Sequence, residues 1–396
     1  MKRVIVGMSG GVDSSVAALL LKKQGYDVIG IFLKYFDNKC PWREDSIDAM
    51  LVSQSLKIPF YIIDITKNYK NLIIDYLYKE YKKGYTPNPD IICNSKIKFN
   101  FFLEKSIFLK SHFIATGHYV IKKEVNENGK IYYKMRSGID DNKDQSYFLC
   151  LLNKVQIKKS IFPLGWLNKK EVREIAKKYN LINANKKDSQ GICFIGKIKF
   201  FNFLKKKLAE KKGIIIEINK NSHIFKLYSN IEYKKEYGKI IGHHIGAHYF
   251  TKGQRKGLKI GGYKYPLFVI EKDIKKNILY VGMGKNHPGL YTKVICIKNY
   301  NIHWIKIKIK IKIKIKIKIK IKIKINKKKM KIKVECRIRY RQNFQKASLY
   351  KKNNDLYVEF EIPQLAVNGG QFIVWYINNE VIGSGLISSN NEYSFL

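Results

Sequence analysis

The chain has 396 residues, 77 of them Lys or Arg against 31 Asp or Glu, for a formal charge of +46, and 45% are hydrophobic. That is apolar material for a core in two or three domains, while no apolar run approaches the ~18 to 20 residues of a membrane span. Eight of the basic residues are Arg and 69 are Lys, so the charge points to both a polyanionic partner and a compositional bias.

Residues 3–7 read as a strand, 13–24 as a helix closed by Gly25, 28–33 as a strand, 44–56 as a helix, 60–65 as a strand, 69–82 as a helix and 113–116 as a strand. This βαβαβ order predicts a parallel sheet covered by helices. Helical patterning fades after about residue 212, and short strand-like runs at 268–271, 278–281 and 356–361 predict a small β-barrel or sandwich. The first eight residues run into Ser-Gly-Gly before any signal h-region forms, so a cytoplasmic location is expected.

Residues 305–324 are ten consecutive Ile-Lys dipeptides, and the wider stretch 305–333 carries 15 Lys and no acid. Alternation places every Ile on one strand face and every Lys on the other. At about 3.3 Å per residue a single strand of this length would reach roughly 66 Å, too long for a small barrel. The tract therefore reads as a mobile low-complexity insertion in a loop between barrel strands.

The six cysteines, Cys40, Cys93, Cys150, Cys193, Cys296 and Cys336, form no C-x-x-C pair and have no His at ligand spacing. A zinc or iron-sulfur site and a disulfide framework are both disfavoured. Cys150, Cys296 and Cys336 sit in apolar or strand-like runs and read as packing residues. Cys93 and Cys193 lie in Pro-, Asn-, Asp- and Gly-rich segments, which suits exposed, reactive thiols.

The first strand runs into Ser9-Gly10-Gly11-Val12-Asp13-Ser14-Ser15, where the helix begins. Two glycines let the backbone wrap a ligand, and the hydroxyls and helix N-terminal amides present donors to an anion. Neither G-x-x-x-x-G-K-[ST] nor G-x-G-x-x-G is present, so P-loop and Rossmann readings lose support. Gly7-x-Ser9-x-Gly11 also matches a serine-hydrolase nucleophile elbow, but that turn follows several earlier strands and only six residues precede Gly7. A ligand-free Gly/Ser turn is the plainer alternative.

Residues 9–14 resemble the signature of the PP-loop ATP pyrophosphatases. Five further blocks narrow the resemblance: Thr86-Pro87-Asn88-Pro89-Asp90 with Cys93-Asn94, Ala115-Thr116-Gly117-His118-Tyr119, Lys143-Asp144-Gln145-Ser146 and its continuation to Leu149, Lys187-Asp188-Ser189-Gln190-Gly191-Ile192-Cys193 and its continuation to Gly196, and Gly253-Gln254-Arg255-Lys256-Gly257-Leu258. In that order and spacing they resemble the tRNA-specific 2-thiouridylases (the MnmA/TrmU family) over nearly the whole chain apart from the Ile-Lys tract. Leu33 stands where the family often has Met, Gly369 replaces a usual Pro, and Ser384 interrupts a usual glycine run.

The resemblance implies an α/β PP-loop (adenine nucleotide alpha hydrolase-like) domain over 1–198, a small central domain over 199–262 and a C-terminal β-barrel over 263–396. It implies ATP and Mg²⁺ as cofactors, with Gly7, Met8, Ser9, Gly10, Gly11, Val12, Asp13, Ser14, Leu33 and Gly117 at the nucleotide. The wobble uridine of tRNA would be adenylated on the base oxygen at position 2 and then attacked by a persulfide on Cys193. Cys93 would cleave the resulting S–S bond, with Asp90 as acid or base. By the same resemblance Asn88, Pro89, Asp90 and His118 surround the base, Lys143, Asp144 and Gln145 contact the tRNA, and Arg339, Tyr340 and Gln371 contribute from the barrel. Arg337 and Arg341 flank that pair, and the cluster suits RNA phosphates and bases better than a solvated strand edge. Expected partners are tRNAs for Lys, Glu and Gln and a sulfur donor such as a cysteine desulfurase or relay protein. Two rivals stand beside this reading: a PP-loop synthetase acting on a small molecule, and an inactive tRNA-binding homologue.

Overall fold

The structure is a computed structural model that describes residues 1–35, 42–188, 200–225, 231–305 and 331–388. The chain divides into two compact units, one formed by Met1–Asp75, Pro89–Ile198 and Tyr376–Ile382, the other by Tyr76–Asn88, Lys199–Trp375 and Gly383–Leu396.

In the first unit β1 (Arg3–Gly7) leads through a short loop into α1 (Val12–Lys23), followed by β2 (Asp27–Lys34), α2 (Trp42–Ser55) and β3 (Phe60–Asp64). β4 (Phe113–Ala115) and the two-residue β7 (Ser160–Ile161) complete a five-stranded sheet in the order β3-β2-β1-β4-β7. All of its pairings are parallel. The central strands are apolar runs buried on both faces, as a helix-covered parallel sheet requires: Val4, Ile5 and Val6 in β1 are fully buried, and so is Ile31 in β2. α1 is buried around most of its circumference and packs Val16, Ala17, Ala18 and Leu21 into the same core as Val52 of α2 and Val172. β3 is the edge, and its Tyr61 and Ile62 are half exposed.

The first unit also carries the antiparallel hairpin of β5 (Val120–Glu127) and β6 (Lys130–Ser137). The helix expected over 69–82 is broken into Thr66–Tyr69, a π-helical stretch Lys70–Ile74, and Asp75–Lys82. A π-helical turn shifts the side-chain phase by about one residue, too little for periodicity to separate from ordinary scatter in so short a segment.

In the second unit β8 (Gly213–Glu217), β9 (Lys239–His244), β10 (Leu267–Asp273) and β11 (Ile278–Met283) form a sheet ordered β10-β11-β8-β9. Ile216, Ile270 and Tyr280 fill its core. β12 (Tyr291–Ile297), β13 (Ile302–Trp304), β14 (Ile332–Arg337), β15 (Gln345–Lys352), β16 (Asp355–Leu365), β17 (Phe372–Ile377) and β18 (Glu380–Leu386) follow. They are ordered β12-β16-β15-β14-β17-β18, with β13 on β18. Cys296 and Cys336 are buried in β12 and β14 and Cys150 is fully buried, in keeping with packing roles. The Ile-Lys tract enters after β13 and leaves into β14. Residues 306–330 lie outside the described residues, as does Cys40.

Candidate active site

The turn between β1 and α1 is held in shape by its own side chains. Ser14 Oγ accepts from Ser9 N–H at 3.1 Å and donates to the Gly11 carbonyl at 3.0 Å, while Ser15 Oγ donates to the same carbonyl at 3.1 Å. Asn183 Nδ2 reaches in and donates to Gly10 O and Ser15 Oγ, both at 2.9 Å. Gly10 has a φ of +72°, and a Cβ there would fall 2.1 Å from the Asp45 carbonyl oxygen, so only glycine fits. Gly11 is the N-cap of α1 and offers no capping side chain, which leaves the first-turn amides directed outward.

Gly117, the residue expected at the nucleotide, packs directly on this helix start: its Cβ would lie 2.7 Å from the Asp13 carbonyl carbon. Met8 and Leu33 are buried, and Met8 N–H continues the sheet onto Ile31 O at 2.8 Å. The loop, Gly117 and the ends of β1, β2 and β4 thus occupy the carboxyl edge of a parallel sheet, where ligands bind in open α/β folds.

Asp13 anchors a network that no single motif announced. Its Oδ1 accepts from Tyr119 Oη at 2.7 Å and from Lys169 Nζ at 2.6 Å. Lys169 is 2.7 Å from Asp188 Oδ1, and Asp188 is also paired with Lys143 and Arg173. Burial opposes ionisation of Asp188, but hydrogen bonds from Lys143 and Lys169 hold its carboxyl down to about 2. Burial, with Asp13 beside it, pushes the Tyr119 hydroxyl well above the ordinary tyrosine value, so it stays a donor. Tyr119 and Asp188 lie inside quoted sequence blocks, whereas Lys169 is one lysine among 69 and carried no signal.

His118 is partly buried, and its Nδ1 is 2.7 Å from Thr116 Oγ1. Burial, with the Lys98 charge nearby, lowers its pKa to about 3, so the imidazole is neutral at physiological pH. It offers a hydrogen bond and a ring face.

Lys143, Asp144 and Gln145 turn out to be deeply engaged. Lys143 is paired with Asp188. Asp144 is 2% exposed, and its carboxylate accepts from Gly138 N–H, Ser146 N–H and Ser146 Oγ. Gln145 Oε1 accepts from Tyr119 N–H at 3.1 Å. Asp144 and Gln145 fix the chain that carries Tyr119.

Pro89, Asp90 and Cys93 lie on a helical segment, Pro89–Ile92 continued by the π-helical stretch Cys93–Lys98. This corrects the expectation of an exposed thiol: Cys93 is 6% exposed, on a segment whose Ile91, Ile97 and Phe99 are also buried. The Pro/Asn/Asp composition that suggested a loop instead opens a helix, for Pro suits a first helical turn. Three residues apart, Asp90 and Cys93 share one helix face, and π-helical turns recur at functional sites. Cys193 lies outside the described residues.

Within the second unit, Gln371 Nε2 donates to Thr86 O at 2.7 Å, and Gly369 O accepts from Thr86 N–H at 2.8 Å. Gln371 thereby clamps the segment that leads to Asn88, which is itself partly buried. The arginine cluster divides. Arg337 is 4% exposed, with its guanidinium 4.0 Å from the Phe344 ring, which corrects its assignment to RNA contact. Alternation along β14 puts Arg337 on the face of exposed Lys333, opposite buried Val334 and Cys336, so its burial is a local covering at the strand end, where Phe344 lies against it. Arg339 and Arg341 are exposed, Arg339 donates to Leu365 O, and Arg341 lies over the Tyr340 ring.

Chemically, the β1–α1 turn can receive an anion, the Asp13–Lys169–Asp188 chain fixes charge beside it, and a cysteine with a nearby carboxylate occupies a separate helix. Three family models match the chain: the tRNA methyl transferase HUP domain over residues 2–197, the tRNA methyl transferase PRC-barrel domain over 201–283 and the aminomethyltransferase beta-barrel domain over 294–387. They place a parallel-sheet domain, a small barrel and a C-terminal β-barrel in that order. Among curated proteins, the tRNA-specific 2-thiouridylase MnmA of Karelsulcia muelleri is 87% identical over 98% of this chain and 99% of its own. That of Flavobacterium johnsoniae is 47% identical over 98% and 100%, and MnmA 1 of Geobacillus kaustophilus 41% over 98% and 95%. The family models are described by methyl transfer and these relatives by thiolation; identity sustained along both chains decides between them, and this chain belongs to the tRNA-specific 2-thiouridylases.

Proposed function

We propose that the chain is an ATP-dependent tRNA-uridine 2-sulfurtransferase that converts the wobble uridine to 2-thiouridine, releasing AMP and pyrophosphate. The observation that carries this reading is the β1–α1 turn, whose outward amides, hydroxyls and obligatory Gly10 suit the phosphates of ATP. The uracil oxygen is a poor leaving group, and adenylation makes it a good one. Gly117 and Leu33 would bound the nucleotide, and the loop would hold its phosphates.

Sulfur would arrive as a persulfide on Cys193, loaded by a cysteine desulfurase or a relay protein. Attack of its terminal sulfur on the activated carbon expels AMP. The Cys93 thiolate then takes the inner sulfur, freeing the thiolated base and leaving a Cys93–Cys193 disulfide for reductants to reopen. Asp90, on the helix face of Cys93, would move the proton.

Among the described residues no group of three or more His, Cys, Asp or Glu gathers that could hold a metal by itself, so Mg²⁺ is proposed to be held chiefly by phosphates, as is usual for this ion with one or two carboxylates. The ion would come with the nucleotide's own phosphates, and no step is assigned to it.

For tRNA, a wobble base splayed from a single-stranded loop suits a pocket better than groove readout. Neutral His118 and Asp90 are the groups proposed to meet it, and exposed Arg339 and Arg341 with Tyr340 the groups to meet the backbone. Expected acceptors are the tRNAs for Lys, Glu and Gln, in the cytoplasm. No described helix is long and apolar enough to cross a membrane.

Mass spectrometry of tRNA nucleosides tests the proposal, after incubation with the protein, ATP, Mg²⁺ and a persulfide source. 2-Thiouridine that appears only with ATP supports it, and its absence from soluble, tRNA-binding protein overturns it.

A further inference from the structure

Asp13 is an awkward residue to keep at a phosphate-binding turn. It stands in the first turn of α1, where unpaired amides and the positive helix pole attract an anion, yet its own carboxylate repels one. Two donors meet that carboxylate on the same oxygen, Tyr119 Oη at 2.7 Å and Lys169 Nζ at 2.6 Å, and only the second carries a charge. The Lys169 side chain is 14% exposed and that of Asp13 32%, so the ammonium is the more enclosed partner.

Lys169 is fixed from both ends. Its backbone N–H donates to Asp140 Oδ2 at 2.9 Å as the first residue of the helix Lys169–Lys178, after the N-cap Asn168. Its ammonium also holds Asp188, which Lys143 and Arg173 grip in turn. The ion pairs therefore set three cations, Lys143, Lys169 and Arg173, against two carboxylates, Asp13 and Asp188, and Lys169 is the cation that joins the loop's acid to the rest. Residues 7–15 contain no lysine of their own, and this one arrives from 156 residues away.

We propose that Lys169 is a positioning residue of the nucleotide site: by neutralising and orienting Asp13 it makes the N-terminus of α1 receptive to a polyphosphate. The inference rests on the reading of that turn as the ATP site. Without Lys169, Asp13 keeps only a neutral hydroxyl partner, and its repulsion of the ligand grows with each phosphate.

The test is equilibrium binding of AMP, ADP and ATP to the full-length protein in EDTA, by calorimetric titration. Wild type should bind ATP more tightly than AMP. Lys169→Met should cut the ATP-to-AMP affinity ratio about tenfold or more, the scale of one lost charge-assisted contact, and Lys169→Arg should keep it within about threefold. Asp13→Asn in the Lys169→Met background should restore the ratio, because the charge needing neutralisation is gone. A ratio unchanged in Lys169→Met, or equal weakening of all three nucleotides, overturns the inference while leaving the ATP reading intact. A wild type that does not favour ATP over AMP overturns the ATP reading, and the inference with it. Should Lys169→Met fail to fold, the single change Asp13→Asn decides: a ratio at or above wild type supports the inference, and a lower one overturns it.

Discussion

Gly117 and Asp13 pack main chain to main chain: a Cβ at Gly117 would stand 2.7 Å from the Asp13 carbonyl carbon and 2.8 Å from the Ser14 nitrogen. Neither neighbour is the far end of a flexible side chain, so an added methyl must displace the start of α1. Gly117→Ala is expected to cost about 1 to 3 kcal/mol of stability by overpacking and to depress ATP-dependent pyrophosphate release. Gly261→Ala, in open space, is the control and should be neutral. Thermal unfolding and a pyrophosphate assay check both, and a wild-type Gly117→Ala protein would separate this glycine from the nucleotide loop.

The loop and the surfaces proposed to bind RNA are chemically distinct, so they should fail separately. Ser9→Ala removes a hydroxyl 3.1 Å from Ser14 Oγ, and Asp13→Ala removes the carboxylate on which Tyr119 and Lys169 converge. Each should lower tRNA-stimulated pyrophosphate release by about tenfold or more, the scale of one lost charge-assisted or transition-state hydrogen bond. tRNA affinity measured by filter binding should hold within about twofold. Wild-type turnover in both variants would remove the loop from the mechanism.

The two candidate sulfur cysteines should fail in different ways. Cys193→Ser should accept no persulfide and make no thiouridine. Cys93→Ser should still load sulfur on Cys193 but release product poorly, because the second thiolate is missing. Persulfide labelling with peptide mapping distinguishes them, and sulfur found instead on Cys40, Cys150, Cys296 or Cys336 would refute the assignment. Burial of Cys93 adds a kinetic expectation: it should alkylate more slowly than a free cysteine.

The parallel sheet and the position of the Gly/Ser turn between β1 and α1 were legible in sequence because they depend on local signals. A buried apolar run, two glycines and a helix start sit within about twenty residues, and β1 falls where the pattern put it. Cys93 was misread because composition reports turn propensity, whereas its burial is set by the tertiary packing of the π-helical segment it begins. Arg337 was misread similarly, since alternation puts it on the face of exposed Lys333 and its cover, with Phe344 seven residues later against it, is not encoded in the strand pattern. Lys169 was invisible for a different reason: its meaning lies in a contact with Asp13 that no local pattern encodes, in a chain where lysine is the commonest charge.

His118 gives the pH dependence a sign. Burial, with Lys98 nearby, lowers its folded pKa from 6.5 to about 3, so between these values the unfolded chain binds a proton that the folded one refuses. Its contribution to stability is full above pH 6.5 and is lost as pH falls toward 3. His118→Gln should flatten the fall in unfolding free energy between pH 6.5 and 4.5, measured by urea titration at several pH values. His244, lowered to about 4 by burial, acts in the same direction, so some slope should persist. An identical pH profile in His118→Gln would show that the imidazole is not held neutral by the fold.

The Ile-Lys tract can now be cut at better places than its repeat suggested. Ile305 is 7% exposed, and Ile332 and Lys333 of β14 pair with Leu349 and Ser348 of β15, so removing 305–333 whole would take a buried residue next to β13 and the start of β14. Residues 306–330 carry 13 lysines and no acid, and they join β13 to β14. Replacing only these with a short Gly/Ser linker should leave thiolation within about twofold of wild type, since no proposed site residue lies there. The expected change is electrostatic. Each phosphate the tract neutralises adds roughly 0.7 to 0.9 to the slope of log affinity against log salt, so a tract that meets a few tRNA phosphates should give it up as a slope shallower by about two. Fluorescence anisotropy with labelled tRNA at a series of KCl concentrations reads that slope directly. An unchanged slope would mean that the lysines do not reach the RNA. Loss of folding in soluble preparations at low salt would mean that the tract holds the barrel together, which the pairings of β13 and β14 with other strands argue against.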